Sequence, residues 1–497
     1  MNNLTRKLFF KHRFFISASL ILLFWYSALF PGITGADGAG LLRLIKNGGS
    51  TDWFTSAYFW FLKITSFNGR TIIITSIFSL LILAFSFYWL VTQLPAPKVL
   101  LNRCFLLFLV VPILPVFGLT IGHDNLQVSG IFVLLGIEIR NYYKIELSRF
   151  QFWVSYLSSG LLLITTHTGP IIFIAGLILM FLRAQYLKAL IIFSIIFGIY
   201  FVSSIGIEKS VFNGVGTIKT SQAKYYSFIA DMKCVAQHEE ADISEKEWKF
   251  LESLSTKKLW ELKMSCRDIS PVLNALNLKN SSFAFDSKEF IKAYLGLTLK
   301  NPAVVAMAHI QRARGILPPP FFQSPDNQVI LDTTVPIGEG TNTALQTGPE
   351  VLHPSNDEPS VAVHIKFLKI FNYIAQAGIF LINQASWFWG WAGLWFWVIL
   401  IYWLWKLRIR KLTTLFMSLY PIIVLHIVLF VAIPFSQPRY YMGSIIIGVY
   451  LAILMAAELL SKVPEGIEEV EQYGEVRELA YRTIRRSFRI MNVCVDV

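Results

Sequence analysis

The chain has 497 residues, of which 55% are hydrophobic and only 15% charged, and its mean hydropathy is +0.55. Soluble globular proteins carry about 25% charge, so one large water-soluble enzyme is argued against, and apolar blocks near the roughly 20 residues needed to cross hydrocarbon point to a polytopic membrane protein. The net charge of +13 reads as Lys and Arg gathered in cytoplasmic loops rather than as a nucleic-acid surface, and four cysteines are too few for a disulfide scaffold.

The first apolar run, residues 14–30, is too long for a signal-peptide core and predicts a retained first span, with Arg6, Lys7, Lys11 and Arg13 holding the N-terminus in the cytoplasm. Further spans are expected near residues 72–91, 104–119, 126–139, 152–166, 171–182, 187–205, 387–405, 412–433 and 441–460. The expected fold class is therefore all-α, a polytopic membrane protein of about ten transmembrane helices with a mostly helical outer-face domain between the seventh and eighth spans. Lys98/Arg103, Arg140/Lys144/Arg149, Arg183/Lys188 and Lys406/Arg408/Arg410/Lys411 all fall inside in this register, and both termini are cytoplasmic. The expected divisions are residues 1–205 (transmembrane core with a first outer loop at 31–71), 206–366 (extracytoplasmic domain), 367–460 (interfacial helix and last spans) and 461–497 (cytoplasmic tail).

Within the large loop, Ser244 with Glu247 and Asp286 with Glu289 fit capping boxes, and Pro302 opens a helix expected over 303–314. Beyond Gly315 the Pro/Thr/Gly-rich text lacks periodicity. Cys234 and Cys266 are the loop's two cysteines and face an oxidising compartment, which makes a disulfide between them a candidate. Residues 367–384 suit an interfacial helix. Trp387, Trp389, Trp391, Trp395 and Trp397 follow, read as headgroup anchors or as a sugar-stacking platform. The tail closes on Arg482, Arg485, Arg486 and Arg489, suited to anionic lipid.

No Walker A, GxSxG, HExxH or CxxC pattern is present. The spans hold almost no charge, which disfavours an ion-coupled carrier. Polar groups gather instead at the outer turns. Asp37 in FPGITGAD and Asp52 in STDWF are candidate catalytic carboxylates; Asp37 reads either as a helix cap or as a general base. Asp124 in IGHDN reads as a cap for the next span or as a catalytic contact, with His123 beside it. Arg43, Lys46 and Arg439 are cations on the side that topology bias avoids, which suits them to phosphate. His167 reads as a satisfied interface residue and His426 as a helix–helix hydrogen-bond partner. Together these residues outline a cavity at the outer membrane surface. There a carboxylate would take a proton from an acceptor hydroxyl and an Arg would stabilise a departing lipid phosphate.

Three features carry a resemblance: the acid after the first span (Asp37), the second acidic turn (His123-Asp124) and the late pair Arg439-Tyr440. In these the chain resembles the GT-C superfamily of polytopic glycosyltransferases, and in topology it is similar to serotype-converting glucosyltransferases of phage and enteric bacteria. The resemblance covers the membrane core; the large loop matches only in position and size. It implies transfer of a sugar from a polyprenyl-phosphate donor to a glycan, lipid or protein acceptor on the outer face of a bacterial inner membrane. Asp37, Asp52 and Asp124 would be catalytic, and Arg43, Lys46, His123, Arg439 and Tyr440 would bind substrate. No cofactor is implied with certainty; the absence of a paired Asp-x-Asp leaves a divalent metal open. The competing readings are an O-antigen-type polymerase or ligase, in which His309, Arg312 and Arg314 would matter more, and a non-enzymatic flippase for lipid-linked glycans.

Overall fold

The computed structural model describes residues 3–34, 36–47, 50–51, 54–209, 217–218, 226–263, 266, 287–312, 366–384, 391–406, 412–432 and 438–461. Asp52, Asp286, Arg314, Trp387, Trp389 and the tail arginines lie outside these residues. The described chain is almost wholly helical.

In chain order the first half is α1 (Asn3–Ala28), α2 (Ala36–Lys46), α3 (Ser56–Thr65), α4 (Ile73–Thr92), α5 (Lys98–Val110), α6 (Ile113–Leu119), α7 (His123–Tyr142), α8 (Arg149–Leu163), α9 (Gly169–Leu182) and α10 (Tyr186–Lys209). The segment expected on the outer face, the outer segment for short, contributes α11 (Tyr226–Ala236), α12 (Glu245–Leu254), α13 (Lys257–Glu261), α14 (Ser287–Lys300) and α15 (Pro302–Arg312). The chain continues through α16 (Lys366–Gln384), α17 (Ala392–Lys406) and α18 (Leu412–Ala432). A 3-10 turn (Pro438–Tyr441) then leads into α19 (Met442–Ser461).

Against the ten expected spans, four helices among the described residues are long and apolar enough to cross a membrane: α4, α10, α18 and α19. A fifth is α5 with α6 taken together, bent by 63° at the break. Pro112 sits at that break, where the ring removes an N–H donor, so the run expected at 104–119 is two helices rather than one. Helices α8, α9 and α17 have 15, 14 and 15 residues; at ~1.5 Å per residue they reach about 20 Å. The outside of the bundle carries large exposed apolar side chains, among them Leu20, Phe85, Ile178, Leu190 and Phe201, a surface that water would not tolerate over this extent.

Helix α7 is the axis of this bundle. Every residue from Asp124 to Ile139 is buried, so its Asp, Asn, Gln, Ser and Glu side chains face protein and not lipid, the one setting in which such groups are tolerated at membrane depth. Trp395, expected as a headgroup anchor, is instead buried, with Gly448 closing on its backbone and Cβ; Trp397 is exposed. Helix α16 lies along α1, with Phe24 and Phe371 in ring contact at 4.9 Å.

The outer segment has its own apolar core around Ile229, Val235, Leu251, Trp260, Phe290 and Leu297. Ser244 and Glu247 form the capping box, α15 begins at Pro302 and ends at Arg312, and a disulfide joins Cys234 to Cys266 with a Cα–Cα distance of 5.9 Å. Cys104 is a free, buried thiol.

Candidate functional site

Two segments that leave the membrane helices run side by side before each turns into a new helix. Strand β1 (Ile33–Thr34), following α1, pairs in parallel with β3 (Thr120–Ile121), following α6; Ile33 is opposite Thr120 and Thr34 opposite Ile121. From this register Asp37 is the third residue after Thr34 and Asp124 the third after Ile121. Each therefore falls in the first turn of its helix, α2 or α7, and the two helix N-termini start from one ladder. Gly38 makes the close approach: a Cβ there would lie 2.7 Å from the Ile121 carbonyl oxygen, so a side chain would push α2 off β3. A second parallel pair, β2 (Ser50–Thr51) with β4 (Thr217–Ile218), ties the far end of this loop to the start of the outer segment.

The cap reading of Asp124 is corrected by this geometry. Helix α2 begins at Ala36, one residue before Asp37. Helix α7 begins at His123 with Gly122 as its N-cap in extended conformation and no side-chain cap bond. Both acids stand in the first turn of a helix, where the positive end of the macrodipole favours a carboxylate.

His123 is held in an aromatic notch. Its ring meets Phe54 edge-on at 5.3 Å and Tyr58 at 5.6 Å, and its Nε2 is 3.5 Å from Asp124 Oδ1. Phe54 precedes α3, which Thr55 caps by accepting from the Tyr58 backbone N–H. Asp124 and Asn125 are buried. The Asn125 Nδ2 donates to the Thr120 carbonyl at 2.9 Å, while its Oδ1, also buried, meets no donor among the described residues. A buried amide oxygen without a donor is uncommon; here it sits one residue from the candidate acid, where a hydroxyl could satisfy it.

The late turn comes to the same end of the bundle. Gly443, four residues beyond Arg439, packs on Val128 of α7, where its Cβ would be 3.5 Å from a Val128 methyl; Val128 is one helical turn from Asp124. His426 of α18 meets Ser444 of α19 at 2.8 Å, the helix–helix bond expected of it. His167 stands in the turn that Gln127 of α7 reaches by donating to Thr168 at 2.8 Å. The structure thus brings together the chain at Asp37 and His123-Asp124, and packs the start of α19, just after the Arg439-Tyr440 turn, one helical turn away on α7. It does not bring Lys46 to them: Lys46 is exposed at the C-terminal end of α2, ~14 Å along the axis from Asp37, where a cation suits the helix dipole. Arg43 lies between them, six residues and ~9 Å along the axis from Asp37.

A second cluster lies in the outer segment. Asp231, fully buried, accepts from Tyr294 at 3.0 Å and pairs with His309 at 2.8 Å and with the buried Arg312. The His309 ring stacks toward Phe430 near the end of α18. Asp231 was invisible to sequence reading, being 81 residues from Arg312 and in no motif. Likewise nothing in the text announced Phe54 or Tyr58 as neighbours of the HD pair. Among the described residues, no three His, Cys, Asp or Glu side chains gather as a metal would require.

Comparison with protein-family models, with curated proteins and with solved structures finds no match to this chain.

Proposed function

We propose that the protein is a GT-C-like membrane glycosyltransferase that moves a sugar from a polyprenyl-phosphate carrier to a cell-envelope glycan, lipid or protein on the outer face of a bacterial inner membrane. This reading takes the shorter helices as the remaining spans, up to about ten, both termini as cytoplasmic and residues 206–366 as extracytoplasmic. The observation that carries it is the β1–β3 register, which sets Asp37 and Asp124 at equivalent points on two adjoining helix starts, with the Arg439-Tyr440 turn leading into a helix packed on α7.

The chemistry follows from the residue types. Asp37 takes the proton from the acceptor hydroxyl as that oxygen attacks the anomeric carbon, and the bond from that carbon to the carrier phosphate breaks. Arg439 offers a planar, permanently charged fork to the departing phosphate. Asp124, with His123 held edge-on by Phe54 and Tyr58, orients the sugar or acceptor, and the free Asn125 acceptor receives a hydroxyl. The polymerase or ligase alternative needs Arg312 and His309 for substrate, yet both already meet Asp231.

The test is transfer by purified protein reconstituted with labelled polyprenyl-phosphate sugars and a crude glycan acceptor. Asp37→Asn, which keeps shape, is expected to lower the rate roughly 100-fold or more, and Arg439→Ala by a similar factor. Unchanged transfer in Asp37→Asn removes the base. Loss of transfer in Arg312→Ala but not in Arg439→Ala favours the polymerase class, and no transfer with any donor favours the non-enzymatic one.

A further inference from the structure

At the other end of α7, ~28 Å from His123 along the helix axis, the turns 143–148 and 183–185 enclose a cavity of about 420 Å3, lined in part by Lys144, Glu146, Phe152, Tyr156, Arg183 and Lys188. Arg183 spends its charge on Glu138, donating to its two carboxylate oxygens at 3.1 and 2.6 Å. The ammonium of Lys188 stands 4.7 Å from the centre of the Phe152 ring, and both Lys144 and Lys188 are exposed. Neither has a carboxylate partner among the described residues.

The helix dipoles account for part of this charge and not for the rest. Arg140 falls in the last turn of α7, where cations are favoured. Lys188 and Arg149 fall instead in the first turns of α10 and α8, where the macrodipole disfavours a cation, and no acid stands in either first turn to offset it. The ammonium groups of Lys144 and Lys188 and the start of α10 therefore border one cavity, outnumbering the single free carboxylate on its wall, Glu146, an arrangement that an anion between the two cations completes.

Both walls are fixed by the same backbone device. Helices α7 and α9 each end with a non-glycine residue in the left-handed region, Lys144 at φ 55° and Ala184 at φ 58°. Each turn is closed by a bond of the Schellman kind, Ile145 N–H to the Arg140 carbonyl at 2.9 Å and Gln185 N–H to the Met180 carbonyl at 3.0 Å. Ile145 on the wall, and Tyr143, Phe150, Leu182, Tyr186 and Leu187 next in sequence to lining segments, are exposed apolar side chains. The occupant therefore has an anionic end and an apolar one.

We propose that this cavity binds the headgroup of an anionic phospholipid, its phosphate between Lys144 and Lys188 and its acyl chains along Phe150, Leu182 and Leu187. The site rests on the membrane placement of the bundle and not on the transfer reaction, so it stands or falls separately from the glycosyltransferase reading.

The full-length protein in detergent is titrated with phosphatidylglycerol or phosphatidylcholine, and the lipid adducts are counted by native mass spectrometry, with inorganic phosphate and glycerol 3-phosphate as competitors. Phosphatidylglycerol is expected to bind about tenfold or more tightly than phosphatidylcholine. Lys144→Gln/Lys188→Gln erases that preference, whereas Lys249→Gln/Lys257→Gln, an equal charge change on the outer segment, leaves it intact. A photoreactive phosphatidylglycerol is expected to label peptides covering 143–153 and 183–190, a readout that holds even if the double variant folds poorly. Equal adducts of the two lipids, a preference that survives in the double variant, or labelling elsewhere overturns the proposal. Competition by inorganic phosphate as strong as by the lipid reassigns the site to free phosphate and overturns the lipid assignment.

Discussion

The carboxylate of Glu247 accepts from the Ser244 backbone N–H at 2.7 Å, from the Ser244 hydroxyl at 2.6 Å and from Lys300 at 2.9 Å. It thereby closes the start of α12 and fastens it to α14. Burial pushes its titration up, but the Ser244 hydroxyl, Lys300 and the Ser244 amide outweigh that and hold it below the ordinary glutamate range. The folded protein thus releases this proton more readily than the unfolded chain. Its stabilisation is complete above the unfolded value of about 4.3 and is lost as pH falls through the lower folded one. Hydrogen exchange of α12 and α14 is therefore expected to quicken, relative to α7, between about pH 5 and pH 3. In Glu247→Gln the α12–α14 protection is lower at neutral pH and nearly flat across that window; an unchanged pH response in the variant would count against the account. At the same scale Asp124 differs from Glu247: it stands in the first turn of α7, whose N-cap is Gly122 with no side-chain cap bond, and its carboxylate meets His123 at 3.5 Å.

Among the elements, the two-residue strands β1 and β3 do the work that decides the candidate site, and Gly38 is what lets α2 sit against them. Gly38→Ala brings a methyl carbon to 2.7 Å from the Ile121 carbonyl oxygen, an overlap that costs about 1–3 kcal/mol and displaces α2. Faster hydrogen exchange across residues 33–46 and a fall in sugar transfer are the expected results. Gly122→Ala is the control, since nothing lies within 4 Å of the added carbon and its φ of −165° suits any residue. If both variants exchange and react alike, the contact is not what sets the geometry. Sequence reading reached the acids and the HD turn because polar residues between apolar blocks stand out, and it reached the Ser244 box and Pro302 because caps are local chemistry. The ladder was out of reach. Period-2 alternation needs at least four residues to register, these strands have two, and they pair across 87 positions. The burial of Trp395 and the Asp231–Arg312 pair were hidden because tertiary partners decide them, whereas the break at Pro112 is local chemistry that the apolar run around it masked.

For the molecule as a whole, α7 links the candidate site at its first turn to the cationic cavity at its last, and it is buried all round, so whatever fixes its end fixes both. That role falls to Glu138, 3% exposed, whose two oxygens take both terminal nitrogens of Arg183 from α9. A charge pair of this kind offers little net stabilisation over well-packed apolar side chains, because desolvation offsets the attraction, but removing one partner leaves the other charge without its counterpart. Glu138→Gln is accordingly expected to lower stability by about 2 kcal/mol or more, Arg183 being partly exposed. The double variant Glu138→Leu/Arg183→Leu is expected to recover most of that loss. Unfolding of the full chain in mixed micelles measures both, and a double variant as unstable as the single one would mean that the pair, and not the orphaned charge, holds α7 to α9. Sugar transfer offers the second readout: if α7 is one rigid link, Glu138→Gln slows a reaction ~21 Å away, and the double variant restores it with stability.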